Sequence, residues 1–385
     1  MSAREQPGQA GGWLSRIADP ASGPRTGTRL IGALPGEGIG PEVVEAALEV
    51  LRRLEHAGGV PVRVELGGPI GLAAERTLGD PLPEDVADFC RDVLARGGAI
   101  LTGPGGGRYV YDLRRRLDLF LKLVPVESRC ALAAASPLPA ESLADLDLLL
   151  VRETLGGIYQ GRSEQVLDGN GRRAVRHSFE VSEESLHRFL GAAARLASAR
   201  RGRLTVVIKQ GGAPALAQLW RSCGSAAAAA EGIDCTFVDV DLMAYELVRR
   251  PRDFDVIAAS NLAGDVLGDL TALLTGSRAL SFSGNFSPQG EAVYQTNHGA
   301  AYDIADRDLA NPVGQILSLA MLLRESLGLE REARAIEDGV RSVWSRGLRT
   351  ADIAGHGSHV LGTREMTEQI AEAAATQLGT LSRAA

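Results

Sequence analysis

The sequence predicts an α/β fold, and three observations carry that prediction. Short apolar runs recur along the chain: Leu30–Leu34, Val62–Leu66, Ala99–Thr102, Leu146–Val151, Leu204–Ile208, Cys235–Val240 and Asp255–Ala259. Their length, about four to eight residues, and their composition are those of strands. Between them lie segments with the spacing of amphipathic helices, Val43–Leu54, Asp85–Ala95 and Ser182–Arg200. The 385 residues, 45% hydrophobic and 23% charged, have an ordinary globular composition and are enough for two domains or one large one.

Leu30–Leu34 runs into a Gly-rich turn at Gly36–Gly40, and Pro41 stands where the first turn of a helix tolerates it. A strand, a Gly turn and a helix raise the possibility of a dinucleotide phosphate loop. GxGxxG is absent and no βαβ unit with a ribose-binding acid follows, so that reading fails. Gln160–His177, centred on Asp168-Gly-Asn-Gly171, reads as a hairpin with a tight turn. Ser182 is placed to cap the helix that follows it. Leu204–Ile208 ends at Lys209; a lysine closing an apolar strand is expected to be partly desolvated, which lowers its pKa and makes it a usable base. Ala226–Ala230 is a structural helical run. Cys235–Val240 delivers Asp241, and Asp255–Ala259 delivers Asn261 and a further helix.

That helix carries Asp265 and Asp269, four residues apart and therefore stacked on one face. Around them stand Val266, Leu267, Leu270, Leu273 and Leu274. Two uncompensated carboxylates on a mostly buried helix cost free energy unless a cation lies between them. Oxygen donors without a nearby Cys or His pair suit Mg²⁺ or Mn²⁺ rather than zinc. The plainer alternative is two solvated acids on an outer face. His356 and His359 read as surface loop residues, not a metal pair.

Bulk properties narrow the function classes. Net charge is −7 with both signs interspersed and no basic stripe, which argues against a nucleic-acid partner. No apolar run spans a bilayer. Cys90, Cys130, Cys223 and Cys235 are scattered without a CxxC pair and read as reduced thiols of a cytoplasmic protein. Residues 1–28, rich in Gly, Ala, Ser and Pro, lack the apolar core of a signal peptide and read as a loose extension.

Several motifs occur in a fixed order: Gly36-Glu-Gly-Ile-Gly-Pro-Glu42, Val151-Arg-Glu-Thr-Leu-Gly-Gly-Ile-Tyr159, Asn261 to Asp269, and Asn297-His-Gly-Ala-Ala-Tyr-Asp-Ile304 with Ala310-Asn-Pro312. Together they resemble the β-decarboxylating dehydrogenase family of isopropylmalate, isocitrate, homoisocitrate, tartrate and D-malate dehydrogenases, with the closest look to isopropylmalate dehydrogenase. The likeness runs from about Arg29 to Gly362-Thr-Arg-Glu365. It implies an α/β architecture beyond what periodicity gives: two domains, 29–121 plus 276–385 and 122–275, sharing a large mixed sheet. It also implies a homodimer in which the partner supplies the residues matching Lys209 and Asp241, with the hairpin as an interlocking arm.

The resemblance further implies roles. Arg114 and Arg152 match the first and third arginines that grip substrate carboxylates, Tyr159 the catalytic acid, and Lys209 the base. Asp241, Asp265 and Asp269 match the metal ligands. His298, Gly299, Asp303, Ile304 and Asn311 match the adenosine site, where an acid such as Asp303 favours NAD over NADP because it repels a 2′-phosphate. The implied reaction is NAD- and Mg²⁺- or Mn²⁺-dependent oxidative decarboxylation of a malate-type hydroxy diacid. Departures cluster on the substrate's side. The second arginine is replaced by Val124, with Lys122 as a nearby substitute. The loop carrying Tyr109 and Tyr111 is short, a pocket rim reshaped or simply a surface loop. Gln210-Gly211-Gly212 replaces bulkier residues, and Glu37 and Gln295-Thr-Asn297 are smaller changes. These point to a specialised-pathway substrate. Three alternatives stay open: oxidation without decarboxylation, an ordinary 3-isopropylmalate dehydrogenase, and a non-catalytic regulatory paralogue.

Overall fold

The recurring apolar segments pair into one mixed sheet in the computed structural model, which describes residues 12–18, 29–128 and 130–384. The strands are β1 (Leu30–Leu34), β2 (Arg63–Leu66), β3 (Ala99–Thr102), β4 (Leu121–Glu127) and β5 (Asp147–Glu153). After a separate hairpin, β6 (Arg162–Leu167) with β7 (Arg173–Ser178), come β8 (Arg203–Ile208), β9 (Asp234–Asp239), β10 (Val256–Ala259), β11 (Phe282–Phe286) and β12 (Ala292–Thr296). The ten-stranded order is β2-β1-β3-β12-β11-β4-β5-β10-β8-β9. Both wings are parallel, and the two meet through the antiparallel run β12-β11-β4-β5. β1, β3 and β10 are buried throughout, as parallel strands covered on both faces must be.

Alternation along the strands sorts the core. One face is continuously apolar from Ile31 and Leu101 through Leu121, Leu123 and Val151 to Leu204, under helices that include Gly40–His56, Glu183–Ser198 and Val313–Glu325. The other face carries two separate clusters. Leu30, Ile100 and Val293 pack on the helix Glu84–Ala95 at one end. Val124, Leu150 and Ile257 pack on the helices Val240–Arg249 and Asn261–Leu274 at the other. Between them this face presents Gln295, Asn285, Lys122 and Arg152, all buried and polar. The apolar layer is therefore interrupted where the sheet changes direction.

Several expectations change. Strands β4, β11 and β12 are added. β11 pairs with β4 only at Leu121–Leu123, so Pro125 falls where β4 has a free edge. The segment after β3 is a short Gly loop followed by the helix Tyr109–Arg116. β9 ends at Asp239, and Asp241 lies in the first turn of Val240–Arg249. The hairpin is as expected: Asp168 accepts from the amides of Asn170 and Arg172, and Gly171 adopts φ 70°. The loose extension needs correcting for residues 12–18. Ile17 is buried, and the Leu14 amide donates to Glu325 at 3.0 Å. The rest of that extension lies outside the described residues. Cys90, Cys223 and Cys235 are free thiols; the side chain of Cys130 lies outside the described set.

Candidate active site

The polar gap is built on a row of registered strand positions. Lys122 of β4 stands opposite Arg152 of β5 and opposite Asn285 of β11. Arg114, in the last turn of Tyr109–Arg116, donates from Nε to Asn285 Oδ1 at 3.0 Å. Arg114, Lys122 and Arg152 are 3–5% exposed. Burial, with Arg152 nearby, pushes the Arg114 guanidinium down to about 9. Arg152 passes against the helix Asn261–Leu274 at Gly264, where a Cβ would sit 2.8 Å from the arginine's own Cβ and Cγ.

Asn261 orders this corner. Its Oδ1 accepts from Arg152 Nε at 3.1 Å and from a terminal nitrogen at 2.8 Å, and its Nδ2 donates to the carbonyls of Thr154 and Gly156. The helix N-terminus is thereby tied to the loop after β5, which carries Tyr159. Arg152 also forms an ion pair with Asp265. The Tyr159 ring lies 5.8 Å from the Arg152 guanidinium carbon and 5.3 Å, edge-on, from Tyr111. Burial, then Asp265 alongside, pushes the Tyr159 hydroxyl up to about 12, so it keeps its proton at neutral pH. Tyr111 belongs to the site, whereas Tyr109 does not: it is buried in the neighbouring apolar cluster and donates to the Gly103 carbonyl.

The two helix acids are compensated differently from expectation. Asp265 and Asp269 lie on a half-open face with side chains 42% and 50% exposed. Each already has a guanidinium, Arg152 for Asp265 and Arg278 for Asp269 at 3.0 Å, so neither carboxylate is uncompensated in the free chain. Asp241 is elsewhere, 2.5 Å from Lys209 Nζ. Among the described residues, the three-donor group within 4.8 Å is Glu183, His187 and Cys223, so one chain does not gather Asp241 with the other two acids. The chemistry of Asp265 and Asp269 still fits a hard cation, being all oxygen, half-solvated and beside a protonated tyrosine.

Lys209 overturns its expected electrostatics. Solvent begins one residue after β8, and the side chain is 45% exposed. The hydrogen bond to Asp241, with Asp239 at 3.7 Å, raises its pKa instead of lowering it. Gly211 faces open space and Gly212 lies beside the Lys209 stem.

At the other end, Glu37 ties three segments together. Its carboxylate accepts from the amides of Leu72, Ala73 and Gly106 and from the Tyr302 hydroxyl at 3.0 Å. Burial opposes ionisation, but these donors outweigh it and hold the carboxyl below its usual range. Gly38, at φ 58°, lies so close to Ala300 that a Cβ would meet its carbonyl oxygen at 2.0 Å. The loop 297–311 is thereby pressed against the Gly-rich turn. That loop holds Ala301, Asp306 and Asp308 in left-handed backbone, a concentration of strain typical of ligand sites. Asp303 and Gly299 are exposed, and Ile304 packs against the Ile39, Val43 and Ala310 cluster. Asn311 is committed structurally: it accepts from the Val313 amide and donates to Asp352. Gln295 Oε1, Thr296 Oγ1, Asn297 Oδ1 and His298 Nε2 are buried without a protein partner, and burial lowers the His298 pKa. Four consecutive residues with orphaned polar atoms fit a site for a polar cofactor such as a nicotinamide nucleotide. His356 and His359 are exposed.

The sequence profile described as isocitrate/isopropylmalate dehydrogenase matches residues 30–370. The chain is 36% identical to 3-isopropylmalate dehydrogenase of Geobacillus kaustophilus, covering 89% of this chain and 95% of that one. It is 39% identical to 3-isopropylmalate dehydrogenase of Synechococcus sp., covering 93% and 96%. In structure it is similar to isocitrate dehydrogenase from Methylococcus capsulatus, with TM-score 0.78 and 30% identity over 90% of this chain and 99% of that one.

Proposed function

The chain belongs to the isocitrate/isopropylmalate dehydrogenase family and is a dehydrogenase, and from that premise we propose that it oxidatively decarboxylates a malate-type 2-hydroxy diacid with NAD and Mg²⁺ or Mn²⁺. The observation that carries this reading is the junction of Arg152, Tyr159 and Asp265, where a carboxylate-binding cation, a protonated acid and an oxygen ligand adjoin. When bound, a nicotinamide would supply the hydride acceptor for C2, and a divalent cation, which Asp265 and Asp269 with Asp241 of the partner subunit would hold, would polarise the substrate's oxygens. Arg114 and Arg152 orient the carboxylates. Lys209 of the partner subunit takes the hydroxyl proton; release of Asp241 from Lys209 removes the interaction that holds its pKa up. Tyr159 returns a proton to the carbon that CO₂ leaves.

A homodimer with shared sites is supported by exposed apolar residues on neighbouring helices, Leu242, Tyr245, Val248, Leu262, Val266 and Leu273, and by the exposed hairpin. The division into 29–121 plus 276–385 and 122–275 is supported by the two separate clusters on the site's face of the sheet. Among the described residues no helix is long and apolar enough to cross a membrane, and we place the reaction in the cytoplasm.

The substrate is a substituted malate of a specialised pathway, because Val124 is packed in an apolar cluster where the family's second arginine is expected. A panel of 2-hydroxy diacids with NAD⁺ and Mg²⁺, scored for NADH and CO₂ together, tests the reading. NADH with CO₂ is expected from a substituted malate, and a much lower kcat/KM with NADP⁺. NADH without CO₂ makes the enzyme a plain dehydrogenase, and efficient turnover of 3-isopropylmalate makes it a leucine-pathway enzyme. No NADH from any diacid leaves the non-catalytic paralogue.

A further inference from the structure

Lys122 is a buried cation that the reaction just described does not use. Its side chain is in a residue 5% exposed, and among the described residues it has neither an ion pair nor a side-chain hydrogen bond. It faces Arg152 directly across the β4–β5 ladder. Like charges directly opposite on neighbouring strands are destabilising, and a buried charge without a counterion is costlier still. Arg114 adds a third cation through Asn285, itself directly opposite Lys122 on β11. Against these three, the carboxylate in contact is Asp265, through Arg152. Burial first, then Arg114 and Arg152, pushes the Lys122 ammonium well below the ordinary lysine range. The free chain thus disfavours the Lys122 charge, and a carboxylate bound beside Arg114 and Arg152 supplies the counterion that restores it.

Two residues further along the same face of β4, Val124 is packed among the apolar cluster that includes Leu150 and Leu267. That step is an apolar wall where a carboxylate has nothing to bind. One pleat repeat back, about 7 Å along the strand, Lys122 stands between Arg114 and Arg152. We propose that Lys122 binds a substrate carboxylate directly and, with Arg114 and Arg152, completes a three-cation clamp for a dianionic acid. The inference rests on the reading of this cleft as a diacid site and names the residue that gives the site its third charge. A monoanionic hydroxy acid would leave the surplus unpaired, so the clamp selects dianions.

The test uses the full chain with Mg²⁺ and takes malate and 3-isopropylmalate as probes. Calorimetry gives Kd for each acid and for NADH, steady-state rates give KM and kcat, and thermal scans give stability, for wild type, Lys122→Met, Lys122→Gln and Lys122→Arg. Losing a charged hydrogen bond should raise Kd and KM of the better-bound acid by about ten- to a hundred-fold in the Met and Gln variants. NADH affinity should hold, and Lys122→Arg should recover much of the loss. Removing a buried basic group that has no partner in the free chain should also leave the Met variant at least as stable as wild type. A merely structural lysine predicts the reverse: lower stability, with acid and NADH affinity falling together. The proposal is overturned if the Met and Gln variants bind the acid within about threefold of wild type, a difference under 1 kcal/mol, or if wild type binds neither acid. If binding depends on Lys122 while wild type makes no NADH from any diacid, the clamp stands and the proposed reaction fails.

Discussion

Arg152 and Lys209 both serve the proposed chemistry, and their surroundings are opposite. Arg152 is 3% exposed and held by Asn261, Asp265 and the close approach at Gly264. Lys209 is 45% exposed, beyond the end of its strand, with the neighbouring acids of its own wing, Asp239 and Asp241, paired to its ammonium. The first region is finished within one chain. The second has its groups paired with each other and is not gathered with Asp265 and Asp269. The difference teaches where preorganisation comes from: the central antiparallel strands hold Arg152 in place within one chain, whereas under the proposed function the Lys209 wing serves the site of a second chain.

The largest effect should come from the finished region. Asp265→Asn removes an anionic oxygen donor and one partner of Arg152 while Asn261 still holds the guanidinium. Turnover should fall by roughly three orders of magnitude, the several kcal/mol that a catalytic cation supplies. Circular dichroism should be unchanged. Near wild-type activity with Mg²⁺ kept limiting would exclude Asp265 as a ligand of the proposed cation.

The next test addresses the unfinished region. If Tyr159 and Lys209 of different chains serve one site, Tyr159→Phe and Lys209→Met proteins should each be nearly inactive alone. Mixed after dissociation and reassociation, they form heterodimers in which one of the two sites is intact. Activity should return to about a quarter of wild type, the statistical share for a two-fold dimer. No recovery, with heterodimers demonstrated, would mean that each site is built from a single chain.

The same contrast explains what could be read from the sequence. Parallel strands buried on both faces leave unbroken apolar runs, and β1, β3, β8 and β10 were legible for that reason. Of the central strands, β4 and β11 were not, because polar residues interrupt them: Lys122 and Pro125 in β4, Ser283 and Asn285 in β11. Asp265 and Asp269 could be found from their helical spacing. Asn261, though inside the motif, gave no sign of its role, since its partners Arg152 and Thr154 are 109 and 107 residues away. Asn285 was missed likewise; its signal is an isolated amide in a strand, visible only once the register puts it opposite Lys122. Lys209 does follow β8 directly, but its exposure was not legible, because a strand end in sequence does not say whether the next residue is covered.

The smallest expected effect separates the two regions by stability rather than activity. Asn261 is fully buried and makes four hydrogen bonds, two from Arg152 and two to backbone carbonyls. Asn261→Ala leaves a buried guanidinium with one partner fewer and strips two carbonyls of their donor. A loss of about 1–3 kcal/mol is expected, the usual penalty for orphaned buried polar groups. Asp241→Asn, in contrast, alters an exposed pair that solvent screens, so its melting temperature should match wild type. It should also lower the Lys209 pKa, because the Asp241 hydrogen bond is the largest influence holding it up; ¹⁵N or ¹³C NMR titration of the lysine reads this directly. Equal destabilisation by both substitutions would break the comparison, for it would mean that the Lys209 wing is as tightly built within one chain as the Arg152 junction.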